Sequence, residues 1–156
     1  MVGPRALRVY TDTSVFGGVF DDEFAAPSAR FFELVRAGRF ELLVSDISRQ
    51  EISAAPAQVQ LQFEEMLPFM RLVAVDEEVL ALRDAYIAAS IVGERWADDA
   101  GHVAAATVGE AELIVSWNFQ HIVHFEKIRR YNAINALHGY RTLDIRSPAE
   151  VIDYED

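Results

Sequence analysis

Apolar residues recur along this chain in two rhythms. Short runs rich in β-branched and aromatic residues at 7–11, 40–44, 71–75, 113–117 and 140–143 read as strands. The first, Leu7-Arg8-Val9-Tyr10-Thr11, alternates along its length. Between them the apolar residues take helical spacing. Pro27 opens a helix with Phe31, Phe32, Leu34 and Val35 on one face and Gly38 as its stop, while Gly17-Gly18 breaks the pattern before it. Ser45 or Asp46 caps a helix carrying Ile47, Glu51 and Ile52 that ends before Pro56. A further helix covers 57–69, with Val59, Leu61, Phe63, Met66 and Leu67 as its apolar set, and Asp76 caps another that runs to about Val92.

An Ala-rich stretch, 97–109, is the segment around which the others are arranged. Two adjacent carboxylates, Asp98 and Asp99, precede a run of small apolar residues, and Gly109 stops it. So many alanines let a helix backbone press close to a sheet. A helix over 121–137 follows the fourth strand, and Ser147-Pro148-Ala149-Glu150 reads as a capping box with Pro at the first helical position. Strands alternating with helices throughout predict an α/β fold: a parallel sheet with helices on both faces and right-handed crossovers.

Composition narrows the setting. The 156 residues are the size of one domain, and no apolar run is long enough to span a bilayer. The N-terminus lacks the order of a signal peptide, and the absence of Cys removes disulfides and thiolate metal sites; a cytoplasmic protein fits these features. A net charge of -11 argues against broad capture of nucleic acid through clustered positive charge. It leaves open an enzyme that works on a phosphodiester through bound metal, where clustered carboxylates are expected.

Three acids share one structural address. Asp12 ends the first strand, Glu51 lies early in the helix after the second, and Asp98 or Asp99 begins the Ala-rich helix; Asn118 closes the fourth strand. In a parallel α/β sheet these positions fall on one edge. Converging carboxylates persist as anions with a cation, and hard oxygen donors suit Mg²⁺ or Mn²⁺. Such an ion activates water and stabilises displacement at phosphorus, so phosphodiester hydrolysis is the expected reaction.

Asp12-Thr13-Ser14-Val15 after an N-terminal strand, Glu51 after Ser45, Asp99-Ala100-x-His102-Val103-Ala104 and Ile114-Val115-Ser116-Trp117-Asn118-Phe119 together resemble the PIN domain. The resemblance runs from Leu7 to about Asp153 and is greatest to the VapC-like toxin nucleases of bacterial toxin–antitoxin pairs. It implies a single three-layer α/β/α domain over 1–156 with a central parallel sheet of four to five strands. It further implies a Mg²⁺- or Mn²⁺-dependent endoribonuclease that cuts RNA, a cognate antitoxin that blocks the pocket with a basic side chain, and a homodimer. Asp12, Glu51 and Asp99 match the family's first three acids and are the expected metal ligands. Asn118 stands where the family often has a fourth acid; it completes the expected catalytic set but puts a second tightly bound metal in doubt.

Each residue also has a plainer reading. Asp12 is a turn residue, Asp98 an N-cap, and Asn118 a cap for the helix after it. Glu51 is the third member of a capping box with Ser48, or lies deeper in a helix capped at Ser45 or Asp46. His102 is a base or ligand, or a hydrogen-bonded core histidine. Ser14 supports an acid or a phosphate, with Asp98 a further candidate for support. Lys127, Arg129 and Arg130 contact an RNA backbone or form a solvated helix face. Beside the nuclease stand a PIN-like module that binds RNA or a protein and cuts poorly, and a phosphatase with an aspartyl nucleophile. The last is disfavoured because Ser14 stands where its second acid belongs.

Overall fold

The structure, a computed structural model, describes residues 5–153. The ends of the expected 1–156 domain, residues 1–4 and 154–156, lie outside the described residues. Five strands form one parallel sheet: β1 (Leu7–Thr11), β2 (Phe40–Ser45), β3 (Met70–Val73), β4 (Leu113–Val115) and β5 (Asp144–Arg146), in the spatial order β3-β2-β1-β4-β5. The helices are α1 (Thr13–Gly18), α2 (Ala25–Arg36), α3 (Asp46–Ser53), α4 (Ala57–Met66), α5 (Glu77–Ala88), α6 (Ala97–Val108), α7 (Phe125–Leu137) and α8 (Pro148–Val151).

Alternation along the strands divides the core in two. Val9, Leu42, Val44, Leu113 and Val115 pack with residues of α1, α2, α3 and α4 on one face of the sheet. Tyr10, Leu43, Ile114 and Ile145 pack with α5, α6 and α7 on the other. The register keeps each set together, pairing Val9 with Leu42 and Leu113, and Tyr10 with Leu43 and Ile114. With both faces covered, the inner strands are buried along nearly their whole length.

α6 takes the close position that its alanines predict, and every residue from Ala100 to Thr107 is buried. At Gly101 a Cβ atom would meet Ile47 Cδ1 at 2.6 Å, so the missing side chain is what lets α6 approach α3. At Gly18 a Cβ would lie 2.5 Å from Ser28 Oγ and 2.8 Å from Trp117 Nε1. The Gly17-Gly18 pair therefore does not interrupt structure, as the sequence suggested; it ends α1 against α2 and the turn after β4.

Other boundaries move as well. The expected final strand at 140–143 gives way to β5, where Ile145 alone is buried between exposed Asp144 and Arg146. The helix expected from His121 starts at Phe125, because Asn118 organises a turn over the intervening residues. The helix expected over 57–69 ends at Met66 and continues as a 3₁₀ turn, Leu67–Phe69, leaving Leu61 and Leu67 exposed. Ser45 caps α3 in a capping box with Ser48, which places Glu51 in the second helical turn.

Candidate active site

β1 lies mid-sheet, and the chain progresses from it to one side through β2 and β3 and to the other through β4 and β5. The β1–β4 junction is thus the switch point, where open α/β sheets form a crevice at the carboxyl ends of the strands. Asp12 follows β1 there as the N-cap residue of α1, and Ser116-Trp117-Asn118 follow β4. α6 leads into β4 from the far side, which brings its first turn, with Asp98 and Asp99, to the same edge.

Asp12 is 5% exposed and held from one side. Ser14 Oγ donates to Asp12 Oδ1 at 2.6 Å and accepts the Trp117 backbone N–H at 2.9 Å. Ser116 Oγ in turn accepts the Asn118 backbone N–H at 2.9 Å. Ser14 therefore ties the end of β1 to the end of β4 through the carboxylate. Glu51 Oε1 accepts two bonds, from Thr13 Oγ1 at 2.8 Å and from His102 Nε2 at 2.5 Å. Asp99 is hydrogen-bonded by the Asn118 side chain, whose Oδ1 accepts the His121 backbone N–H at 2.9 Å. Asn118 thus caps the following turn and engages an acid at once.

The electrostatics join these groups. Burial pushes the Asp12 carboxyl above its ordinary value, and Glu51 adds to the rise; His102 and the bonds from Ser14 and Ser116 oppose it without cancelling it. Asp99 is raised in the same way by burial, with Glu51 again contributing. Glu51 moves oppositely: burial pushes it up, but its bond to His102, the charge of His102 and the Thr13 bond together bring it below the usual value. Burial pulls His102 down, yet Tyr10, Glu51 and Asp12 hold its imidazole well above an ordinary histidine. His102 therefore stands in the field of all three acids.

The donor set, three carboxylates, consists of hard oxygens of the kind Mg²⁺ and Mn²⁺ accept, while the Asn118 amide oxygen is taken by the His121 N–H. Burial that keeps the Asp12 and Asp99 carboxyls high is what a nearby cation would relieve. Among the described residues no three His, Asp or Glu side chains already stand at ion-holding distances from one another. His102, with its charge favoured, occupies the electrostatic position between the acids.

The remaining candidates separate. Asp98 is exposed in the first turn of α6 and is not its N-cap, because a 3₁₀ turn, Glu94–Trp96, runs straight into the helix. Of the basic trio, Lys127 donates to the Gln120 carbonyl at 2.9 Å and Arg130 to the carbonyls of Ala89 and Ser90, closing the end of α5. Arg129 lies 5.8 Å from the Phe125 ring centre. Tyr10, Thr13 and Ser116 take part around the acids without having been assigned a role from the sequence, and Ser45, read there as a helix cap, joins them through Tyr10. The one signal that could have found Tyr10 is a hydroxyl-bearing residue on the inward face of a central strand, since a buried hydroxyl needs a partner.

No family model matches the chain, and no curated protein matches it. Among solved structures it is similar to a chain in the crystal structure of VapBC2 from Rickettsia felis bound to a DNA fragment from their promoter. The two share 12% identity at a TM-score of 0.59, over 90% of this chain and 98% of that one. At that identity the likeness is one of fold: five parallel strands between helical layers, consistent with the PIN-like arrangement.

Proposed function

We propose that this protein is a metal-dependent endoribonuclease, the toxin of a toxin–antitoxin pair. The observation that supports the reading is that Asp12, Glu51 and Asp99 lie along the switch-point edge, with Glu51 in electrostatic reach of both the others. The likeness of fold to a chain of a VapBC complex supports it. Asp12, Glu51 and Asp99 would hold Mg²⁺ or Mn²⁺, which when bound supplies activation of water and neutralises charge at the phosphorus. Ser14 fixes the rotamer of Asp12 through Oδ1, and the Asn118 amide orients Asp99. The partner implied is an antitoxin that brings a basic side chain to this acidic edge, and the substrate is RNA.

The test is cleavage of RNA by purified protein in Mn²⁺ or Mg²⁺, with chelator as control, for wild type, Asp12→Asn and Asp99→Asn. Loss of cleavage in chelator and in both variants is expected. Cleavage equal to wild type in the two variants removes the reading.

The interposed His102 favours a second reading, a PIN-like module that binds RNA or a protein and cuts poorly. Its imidazole already engages a Glu51 oxygen that an ion would otherwise share. Calorimetric titration with Mn²⁺ separates the two: binding that disappears in Asp99→Asn favours the nuclease, and no binding favours the module.

A further inference from the structure

Glu51 is held in an unusual manner for an acid at this edge of the sheet. Its side chain is 33% exposed, yet both of its protein contacts fall on Oε1, leaving Oε2 without a protein partner among the described residues. The donor at 2.5 Å, His102, is 1% exposed and engaged at its other nitrogen as well, with Nδ1 2.6 Å from Tyr10 Oη. Tyr10 is fully buried, and its Oη lies 2.8 Å from Ser45 Oγ. Ser45 caps α3, the helix that carries Glu51, and its Oγ accepts the Ser48 backbone N–H.

The contacts close a ring. It leaves the cap of α3 at Ser45, passes through Tyr10 on β1 and His102 on α6, and returns to α3 at Glu51. With both ring nitrogens protonated, Nδ1–H donates to Tyr10, Tyr10 to Ser45, and Nε2–H to Glu51. A histidine that served only the core would find its acceptors inside the core. This one spends its second nitrogen on a partly exposed carboxylate and fixes one oxygen while leaving the other available.

We infer that His102, held by Tyr10, is a positioning residue that sets the Glu51 carboxylate so that Oε2 meets the divalent ion. The inference rests on the metal-dependent reading of the site. Histidines and carboxylates that orient a metal-binding group through a hydrogen bond change affinity or activity by about 10–100-fold when removed.

The experiment compares wild type, His102→Gln, His102→Asn and Tyr10→Phe by Mn²⁺ calorimetry, RNA cleavage and thermal unfolding of the metal-free protein. Gln carries an amide N–H about as far as Nε2, so it keeps the Glu51 bond; Asn is too short and keeps only the reach of Nδ1. His102→Asn is expected to weaken Mn²⁺ binding and lower kcat by about 10–100-fold. His102→Gln recovers most of both, and Tyr10→Phe loses less than His102→Asn. If His102→Gln and His102→Asn bind Mn²⁺ and cleave alike, whatever their melting temperatures, His102 is only a core residue and the inference is overturned. If His102→Asn does not fold, Tyr10→Phe decides: wild-type Mn²⁺ affinity in that variant also overturns it. Wild type that binds Mn²⁺ in the expected order of variants but cuts no RNA keeps the positioning role and removes the nuclease reading. Wild type that binds no Mn²⁺ removes both.

Discussion

At the scale of single residues, burial raises all three acids of the candidate site, and their other contacts decide the outcome. Asp12 and Asp99 are raised, so between the ordinary carboxylate value and their raised values the folded protein holds more protons than the unfolded chain. Their contribution to stability therefore falls as pH climbs through that window. Asp12→Asn removes a desolvated charge and keeps an oxygen for Ser14, so its melting temperature at neutral pH is expected above that of wild type, while RNA cleavage drops by at least about a hundredfold. Calorimetry and a cleavage assay check the two halves; a melting temperature below wild type would count against burial as the cause. On the metal-dependent reading, the same shifts would give Mn²⁺ binding a pH dependence. A cation must displace the retained protons, so affinity rises as pH rises through the raised values, and protons are released on binding. Titrations in buffers of different ionisation enthalpy measure that release.

The metal-free His102–Glu51 pair acts with the opposite sign for each partner. Glu51 is lowered, so its share of stability is present above its unfolded value and is lost as pH falls through the lowered folded one. His102 is raised, so its share is full below its unfolded value of 6.5 and fades as pH rises through the raised one. One contact underlies both, so the two losses mark the acid and alkaline limits of a single interaction.

At the scale of elements, the decisive contact is α3 against α6. It sets Glu51 beside His102 and depends on Gly101, where a Cβ would reach within 2.6 Å of Ile47 Cδ1. Gly101→Ala gains up to about 1 kcal/mol in helix propensity. The atom it meets is the end of the half-buried Ile47 side chain, which can turn aside, so the overpacking costs no more than about 1 kcal/mol. Urea unfolding of Gly101→Ala is expected to stay within about 1 kcal/mol of wild type, and a larger loss would show that Ile47 has no room to move.

Legibility in the sequence also varies by element. β1, β2 and α6 could be read because their apolar patterns are long and both faces of the sheet are covered. β5 could not, because Ile145 is its one inward residue and its neighbours are charged. α1 was hidden by a glycine pair of which Gly18 packs closely against Ser28 and Trp117, the latter a contact between segments far apart in the chain. For the site, the pattern named the acids and the edge that gathers them. It left His102 between two readings, because its partners Glu51 and Tyr10 are 51 and 92 positions away. No local rhythm encodes such a contact; the fold does.

At the scale of the whole molecule, charge shapes how RNA would be met. The net charge is -11, and two members of the one basic cluster, Lys127 and Arg130, are bonded to backbone carbonyls. With 25 acidic against 14 basic side chains a broad cationic track is not expected, so the slope of log kcat/KM against log salt is expected to be shallower than about -2, where each phosphate contact contributes about -0.7. A steeper slope in a salt series would reveal a cationic track elsewhere on the surface.

The burial of α6 from Ala100 to Thr107 has a last consequence, for hydrogen exchange. A helix surrounded on all sides has no private way of opening, so its amide hydrogens reach solvent only when the whole domain comes apart. Amides of α6 should therefore be the slowest to take up deuterium, at the rate of global unfolding, while the exposed turns of α7 trade theirs within minutes. The platform that carries Asp99 and His102 would then keep its shape for as long as the protein stays folded.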